Sequence, residues 1–349
     1  MPKRSSSAAL RKAWQQGLRA VTGQVLRATR DATKAATTAA TKAARQAGVH
    51  DAVPGLQKTP PHPSPGLGDW IAGVATGRTG MRRYRLFRPA GLPAGERAPL
   101  LVMLHGCGQD AAGFARSTRM NRLAAREGFL VLYPEQSRLA NPQRCWNWFD
   151  TETGRAQGEA ALILAAIDQV CLLYPADRER VGIAGLSAGA GMAALLATSH
   201  PTRFRAVAMH SGVPPGLASS ATTALRAMRG KAASPELAPP ADGAAWPPLL
   251  VVQGTEDRIV AASNAAEAVR QWSLAAGATT RRARTVQRGR RWPMEVVEFK
   301  RGRAIAATLV AIEGLGHAWS GGAAKQPFSD PQGPDASTMI WRFIAKQCR

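Results

Sequence analysis

The chain has 349 residues, 45% of them hydrophobic, which is enough to bury the core of one catalytic domain with an appendage. No run of 18 apolar residues occurs, which argues against a membrane-spanning helix. The net charge is +23, and the first 50 residues hold ten Lys or Arg against Asp31 alone. This charge favours an anionic surface as a partner, or forms a solvated basic face. Four cysteines without CxxC spacing exclude a disulfide-dense scaffold and predict no metal site.

Residues 1–48 predict a basic amphipathic helix or a disordered tail. The apolar side chains that repeat at helical spacing are Leu10, Trp14, Leu18, Val21 and Val25. Such a stripe suits binding to a membrane or a hydrophobic granule. Residues 49–68 are rich in proline and predict a stiff linker. We therefore expect the catalytic domain to cover residues 69–349.

Short strand-like runs alternate with helical segments from residue 69 onward. The predicted strands are 83–87, 100–104, 129–133, 181–184, 206–210, 249–253 and 308–313. Most are almost wholly apolar, as expected of parallel strands that are buried on both faces. The alternation predicts an α/β fold with a doubly wound, mostly parallel sheet and helices on both faces. Residues 217–247 predict an insertion or lid.

The strongest local motif is Gly185-Leu186-Ser187-Ala188-Gly189. It follows a predicted strand and opens an apolar helix, which is the context in which α/β-hydrolases place a nucleophilic serine. In that sharp turn Ser187 Oγ projects above the sheet, and the N–H of Ala188 points at the developing oxyanion. The sequence therefore predicts Ser187 as the nucleophile.

A serine nucleophile needs a base, and the sequence offers six histidines. Five lie in the tail, the linker, an early loop, a helix end or a strand before any candidate acid: His50, His62, His105, His200 and His210. His317 alone follows the last predicted strand. Since the fold orders its triad as Ser, acid, His, the acid must lie between 187 and 317. Asp257 follows the strand 249–253 and is the preferred acid, with the adjacent Glu256 as the alternative.

Acyl transfer also needs N–H donors for the oxyanion. The glycine-rich loop after the strand 100–104 makes the N–H of Cys107 the candidate partner of Ala188. A nucleophilic role for Cys107 is disfavoured, because no histidine is placed to activate it. Three aromatic residues, Trp146, Trp148 and Trp319, predict walls of the substrate pocket, with buried structural tryptophans as the alternative.

At these residues the chain resembles the poly(3-hydroxybutyrate) depolymerase family of esterases over residues 69–347. The matching motifs are LVMLHGCGQD, TRMNRLAAREGFLVLYPEQ, RCWNWF, RVGIAGLSAGAGMAA, MHSGVPPG, QGTEDRIV, GLGHAWSGG and FSDPQGPDAS. The resemblance implies an α/β-hydrolase that cleaves short-chain hydroxyalkanoate esters, or related small or phenolic esters, without metal or cofactor. It assigns the triad Ser187, Asp257 and His317, with the oxyanion hole at Cys107 and Ala188.

The resemblance further implies a disulfide between Cys107 and Cys145, which argues for an oxidising compartment. It also implies an extracellular enzyme. Because no standard signal peptide is visible, the cytoplasm is the alternative. The expected partners are an ester substrate and, through the basic tail, a polyester polymer or granule surface. Nucleic acid is not expected, because no reader motif occurs. The rival class is an inactive hydrolase-fold binding or granule-surface protein, and the sequence does not predict the oligomeric state.

Overall fold

The computed structural model describes residues 67–93, 95–232 and 245–348. The predicted tail and the predicted linker up to residue 66 lie outside the described residues, as does the stretch 233–244 of the predicted insertion. The last predicted linker residue, Gly68, is instead the first residue of a strand.

The described part of the chain contains seven helices, thirteen strands and a 3₁₀ turn at Pro201–Arg203. The helices are α1 (Ala111–Thr118), α2 (Met120–Glu127), α3 (Arg155–Leu173), α4 (Ala188–Ser199), α5 (Ala221–Met228), α6 (Ser263–Ala276) and α7 (Ala336–Gln347). The strands are β1 (Gly68–Gly77), β2 (Gly80–Pro89), β3 (Ala98–Leu104), β4 (Leu130–Pro134), β5 (Ala176–Leu186), β6 (Ala206–His210), β7 (Leu249–Gly254), β8 (Thr279–Thr280), β9 (Arg284–Val286), β10 (Met294–Arg301), β11 (Ala304–Ile312), β12 (Trp319–Ser320) and β13 (Ser329–Asp330).

An eleven-stranded sheet organises the fold, in the order β1-β2-β4-β3-β5-β6-β7-β11-β10-β8, with β9 paired to β10. The strands from β4 to β11 run parallel, and the strands at both ends of the sheet are antiparallel. The order turns back on itself around β3 and β5, so the sheet is doubly wound. The predicted fold class is therefore confirmed, and each of the seven predicted strands overlaps an observed one.

Both faces of the sheet are covered by helices. On one face, buried residues such as Leu101, Met103 and Val131 form a continuous core with Phe114 of α1 and Ile340 of α7. Side chains alternate between the faces along each strand, and the intervening residues lie beneath α3, α4 and α6. This packing fixes the parallel strands, and it brings their carboxyl ends to a single edge.

Among the described residues, one helix is long and apolar enough to cross a membrane, namely Arg155–Leu173. Half of its apolar window is buried in the structure, where the helix packs on β1, β2 and β5. Core helices of soluble proteins pass the same test, so its length and composition are weak evidence for a membrane span.

Candidate active site

Ser187 lies in a strained turn between β5 and α4. Its backbone has φ 56° and ψ −119°, a conformation that non-glycine residues rarely adopt and that is associated with functional sites. The flanking glycines make this turn possible. A Cβ on Gly185 would lie 2.3 Å from the backbone of Gly189, and a Cβ on Gly189 would lie 2.1 Å from the carbonyl oxygen of Leu104. The turn thus packs directly against the end of β3.

Asp257 and His317 come together although 60 residues separate them in sequence. His317 Nδ1 lies 2.8 Å from Asp257 Oδ2, and both side chains are almost completely buried. The other carboxylate oxygen accepts hydrogen bonds from the amides of Ile259 and Val260, each at 2.9 Å. Asp257 is therefore held in one orientation against the imidazole.

The charge of Asp257 follows from these contacts. Burial by itself raises the pKa of Asp257, but the hydrogen bond and charge of His317, followed by the two backbone amides, outweigh it and leave the pKa below its usual value. An ionised carboxylate accepts the Nδ1–H, which leaves Nε2 of His317 as the basic nitrogen.

Glu256, the alternative acid, has a different environment. Its side chain is exposed and has no hydrogen-bond or ion-pair partner in the described part of the chain. The geometry therefore favours Asp257. Ser187 follows β5, Asp257 follows β7 and His317 follows β11, so all three lie at the carboxyl edge of the parallel strands. Within the described residues Ser187 Oγ donates no hydrogen bond to His317, a contact that in free enzymes often tightens only with substrate.

Two backbone amides are free near the turn. Neither the N–H of Cys107 nor that of Ala188 donates a hydrogen bond to another described residue. The surrounding loop is held firmly, because Gly108 N–H donates to the carbonyl of Gln143 at 2.7 Å and a disulfide joins Cys107 to Cys145. The arrangement can hold an oxyanion between unpaired donors.

The buried ring of His105 holds the same loop in place through two contacts with the backbone. Its Nδ1 lies 2.8 Å from the carbonyl oxygen of Gly106, and its Nε2 accepts the N–H of Gln136 at 3.1 Å. Complete burial is the main cause that lowers the pKa of His105 to about 4. A neutral ring with the proton on Nδ1 satisfies both contacts.

His210 is a residue that the sequence analysis set aside, yet it touches both sides of the site. Its carbonyl accepts the N–H of Ser187 at 2.9 Å, and its Nε2 accepts the N–H of Ser320 at 3.1 Å, three residues beyond His317. Its ring stacks on Trp319 with centroids 5.1 Å apart. Burial, followed by the charge of His317, lowers the pKa of His210 to about 3. The available sequence signal was its position at the end of a predicted strand, 206–210.

The three tryptophans differ in exposure. Trp146 and Trp319 have no exposed surface, and their indole N–H groups donate to His105 O at 3.0 Å and to Ser337 Oγ at 3.1 Å. Trp146 and Trp319 therefore fit the alternative interpretation, that of buried structural tryptophans, and not the predicted walls of the substrate pocket. Trp148 is 8% exposed and packs against Gly191 of α4, so its part in substrate binding stays a prediction.

A buried polar cluster that contacts the loop of Cys145 was also missed by sequence reasoning. Glu159 of α3 accepts the backbone N–H of Asn147 at 3.0 Å, the Asn147 side-chain amide at 2.6 Å and Gln136 Nε2 at 2.7 Å. Arg82 lies over the Trp146 ring and hydrogen-bonds the Gln136 side chain. These contacts join α3 to the loop that carries Cys145. Over the described residues, no group of three or more His, Cys, Asp or Glu could hold a metal ion.

Residues 82–290, more than half of the chain, match the family model described as esterase PHB depolymerase. The chain belongs to this esterase family. The resemblance drawn from the sequence motifs is thereby confirmed. The match covers residues from β2 to the segment that follows β9, including Ser187 and Asp257 but not His317.

Curated relatives of the family differ in the substrates that their names give. The chain is 34% identical to a poly(3-hydroxyalkanoate) depolymerase C of Paucimonas lemoignei, over 53% of this chain and 46% of the relative. It is 30% identical to a feruloyl esterase B of Neurospora crassa, over 51% and 65%. The matches thus span about half to two thirds of these relatives.

Comparison with solved structures identifies the fold. An acetyl xylan esterase from Aspergillus awamori superposes with a TM-score of 0.62 at 18% identity, covering 80% of this chain and 99% of that one. The solved structures that share this fold are α/β-hydrolases. The predicted α/β-hydrolase fold is therefore confirmed.

Proposed function

We propose that this protein is a serine carboxylic ester hydrolase in which Ser187 is the nucleophile, His317 the base and Asp257 the orienting acid. The observation that carries the proposal is the 2.8 Å contact between His317 Nδ1 and Asp257 Oδ2 at the sheet edge that also holds the strained Ser187 turn. A serine hydroxyl reacts only when a base is oriented beside it.

The proposed reaction has two halves. In the first, Ser187 Oγ bonds to the ester carbonyl carbon while His317 Nε2 takes the hydroxyl proton, and the N–H groups of Cys107 and Ala188 hold the oxyanion. The tetrahedral intermediate then collapses and the alcohol leaves with the proton from His317. In the second half, water attacks the acyl-enzyme, gives its proton to His317, and the carboxylic acid is released as Ser187 regains a proton.

For the substrate, we propose short-chain poly(3-hydroxybutyrate) or its oligomers. Family membership and the relative named as a poly(3-hydroxyalkanoate) depolymerase support this class. Small or phenolic esters are the second candidate, supported by relatives named feruloyl esterase and acetylxylan esterase. A polyester polymer or granule surface remains the proposed partner of the basic segment 1–48, which would give that segment an anchoring role.

The test combines two substrates with a labelling reaction. Hydrolysis of p-nitrophenyl butyrate and clearing of a poly(3-hydroxybutyrate) suspension are measured for the full chain, Ser187→Ala and the control Ser273→Ala. Ser273 lies on α6, and among the described residues its hydroxyl bonds only the carbonyl of Val269 in the same helix. We expect Ser187→Ala alone to lose activity and labelling by a fluorophosphonate probe.

Each outcome separates the candidates. Serine-dependent cleavage of both substrates supports the depolymerase, and cleavage of the soluble ester alone supports a small-ester esterase. Wild-type turnover by Ser187→Ala would refute the mechanism. Absence of both turnover and labelling in the wild-type chain would instead support an inactive binding or granule-surface protein.

A further inference from the structure

A concave surface lies between helix α7 and the strands β9, β10 and β11. This groove has a volume of about 460 Å³, within the range of small-molecule sites. Its floor is apolar, formed by the buried side chains of Met294, Val296 and Val310 and by Met339 and Phe343 of α7. None of the three proposed triad residues lines it.

The rim of the groove is cationic. Arg288, Arg342 and Lys346 line it, and their side chains are without a hydrogen-bond or ion-pair partner in the ranges that the structure describes. Arg342 and Lys346 are one helical turn apart on α7, so they stand on the same side of that helix. Arg288 belongs to the basic segment that continues from β9.

The acidic residues of the lining are already engaged. Glu298 pairs with Lys300 at 2.7 Å and with Arg284 at 3.5 Å. The hydrogen bond from Lys300 is the main cause that lowers the pKa of Glu298, and the charges of Lys300, Arg284 and Lys346 add to it. Asp335 caps α7 by accepting the N–H and hydroxyl of Thr338. The lining holds five cations against two carboxylates, so the groove presents excess positive charge beside apolar surface.

We infer that this groove binds an aliphatic carboxylate, with the chain on the apolar floor and the carboxylate at Arg342 and Lys346. A purely apolar ligand would gain nothing from the cations, and a polyanion would gain nothing from the floor. The chain's own first 50 residues do not complement the rim, because they carry ten Lys or Arg and one Asp. The site is separate from the proposed ester hydrolysis and does not depend on it.

Octanoate is the probe, measured by isothermal titration calorimetry against the full chain, with 1-octanol and acetate as partial ligands. The groove variant is Arg342→Glu with Lys346→Glu. The matched control is Arg116→Glu with Arg122→Glu, which changes the net charge equally at two exposed arginines of α1 and α2. We expect the groove variant to weaken octanoate binding at least about tenfold, and the control to bind like the wild type. Affinity should also fall with added salt.

Several results would overturn the proposal. If octanol binds as tightly as octanoate, the cations do not contribute to binding. If acetate binds as tightly as octanoate, the apolar floor does not contribute. If the groove variant binds octanoate like the wild type while a Ser187-phosphonylated protein does not, the site is the acyl pocket. If the groove variant changes only the sedimentation coefficient, the groove is a contact between copies.

Discussion

Replacing Gly189 by alanine tests how closely the Ser187 turn must approach the loop that carries Cys107. The added Cβ would lie 2.1 Å from the carbonyl oxygen of Leu104 and 2.6 Å from that of His105. Both atoms are backbone at the end of a central strand, so no side-chain rotation relieves the clash. Restoring an ordinary contact requires a displacement of about 1 Å between α4 and the loop of Cys107. A misplacement of that size costs about 10²-fold in rate, similar to the loss of one oxyanion donor.

The assay is kcat/KM for p-nitrophenyl butyrate, with the midpoint of thermal unfolding measured alongside. Gly158→Ala is the matched control, because a Cβ there would lie 3.4 Å from the Thr79 side chain, an ordinary contact. Alanine in that helix should raise stability by up to about 1 kcal/mol and leave turnover unchanged. A folded Gly189→Ala protein with wild-type kcat/KM would refute the proposed coupling between turn and loop.

Three further predictions concern the acid, the buried histidines and the disulfide. Asp257→Asn should lower kcat by about 10⁴-fold, because it favours the wrong imidazole tautomer, and steady-state kinetics check this. It should also lower the free energy of unfolding, measured in urea, because the contacts that lower the pKa of Asp257 stabilise the ionised carboxylate. Because the pKa values of His105 and His210 fall from 6.5 to about 4 and about 3, only the unfolded chain gains these protons below about pH 6.5. The free energy of unfolding should therefore drop by about 2 kcal/mol per histidine from pH 7 to pH 5, and His210→Gln should show a smaller drop. Reducing the bond between Cys107 and Cys145, which lie 38 residues apart, should destabilise the fold by up to about 4 kcal/mol and slow hydrolysis; urea unfolding and turnover with and without a phosphine reductant test this.

The central strands of the sheet were predictable from sequence, because a strand that is buried on both faces appears as a continuous run of apolar residues. β3, β6 and β7 are almost wholly buried, and their apolar runs match the predicted strands closely. The strand β5 also leads into the motif around Ser187, whose glycines leave no room for a Cβ. In this region local sequence and tertiary packing favour the same structure.

The edges of the sheet were not predictable in the same way. β1 and β10 are partly exposed and contain charged or small residues, so they lack the continuous apolar run of a central strand. Their pairing with β2 and β11 depends on partners outside the local window. The groove beside α7 depends on one of these edges, because residues of β9 and β10 line it. A basic segment was visible in the sequence, but the apolar floor was not.

His210 shows why chain order alone gives an incomplete account of the site. Elimination by order excluded it as the base, and the structure agrees that its Nε2 is occupied by the N–H of Ser320. Order gives no information on which strand ends are neighbours, however, and β6 lies directly beside β5. One residue can therefore bond the turn of Ser187 through its carbonyl and the loop beyond His317 through its ring. The ring contact requires an unprotonated Nε2, so the low pKa that burial gives His210 keeps the Ser187 turn joined to the loop beyond His317 in mildly acidic solution.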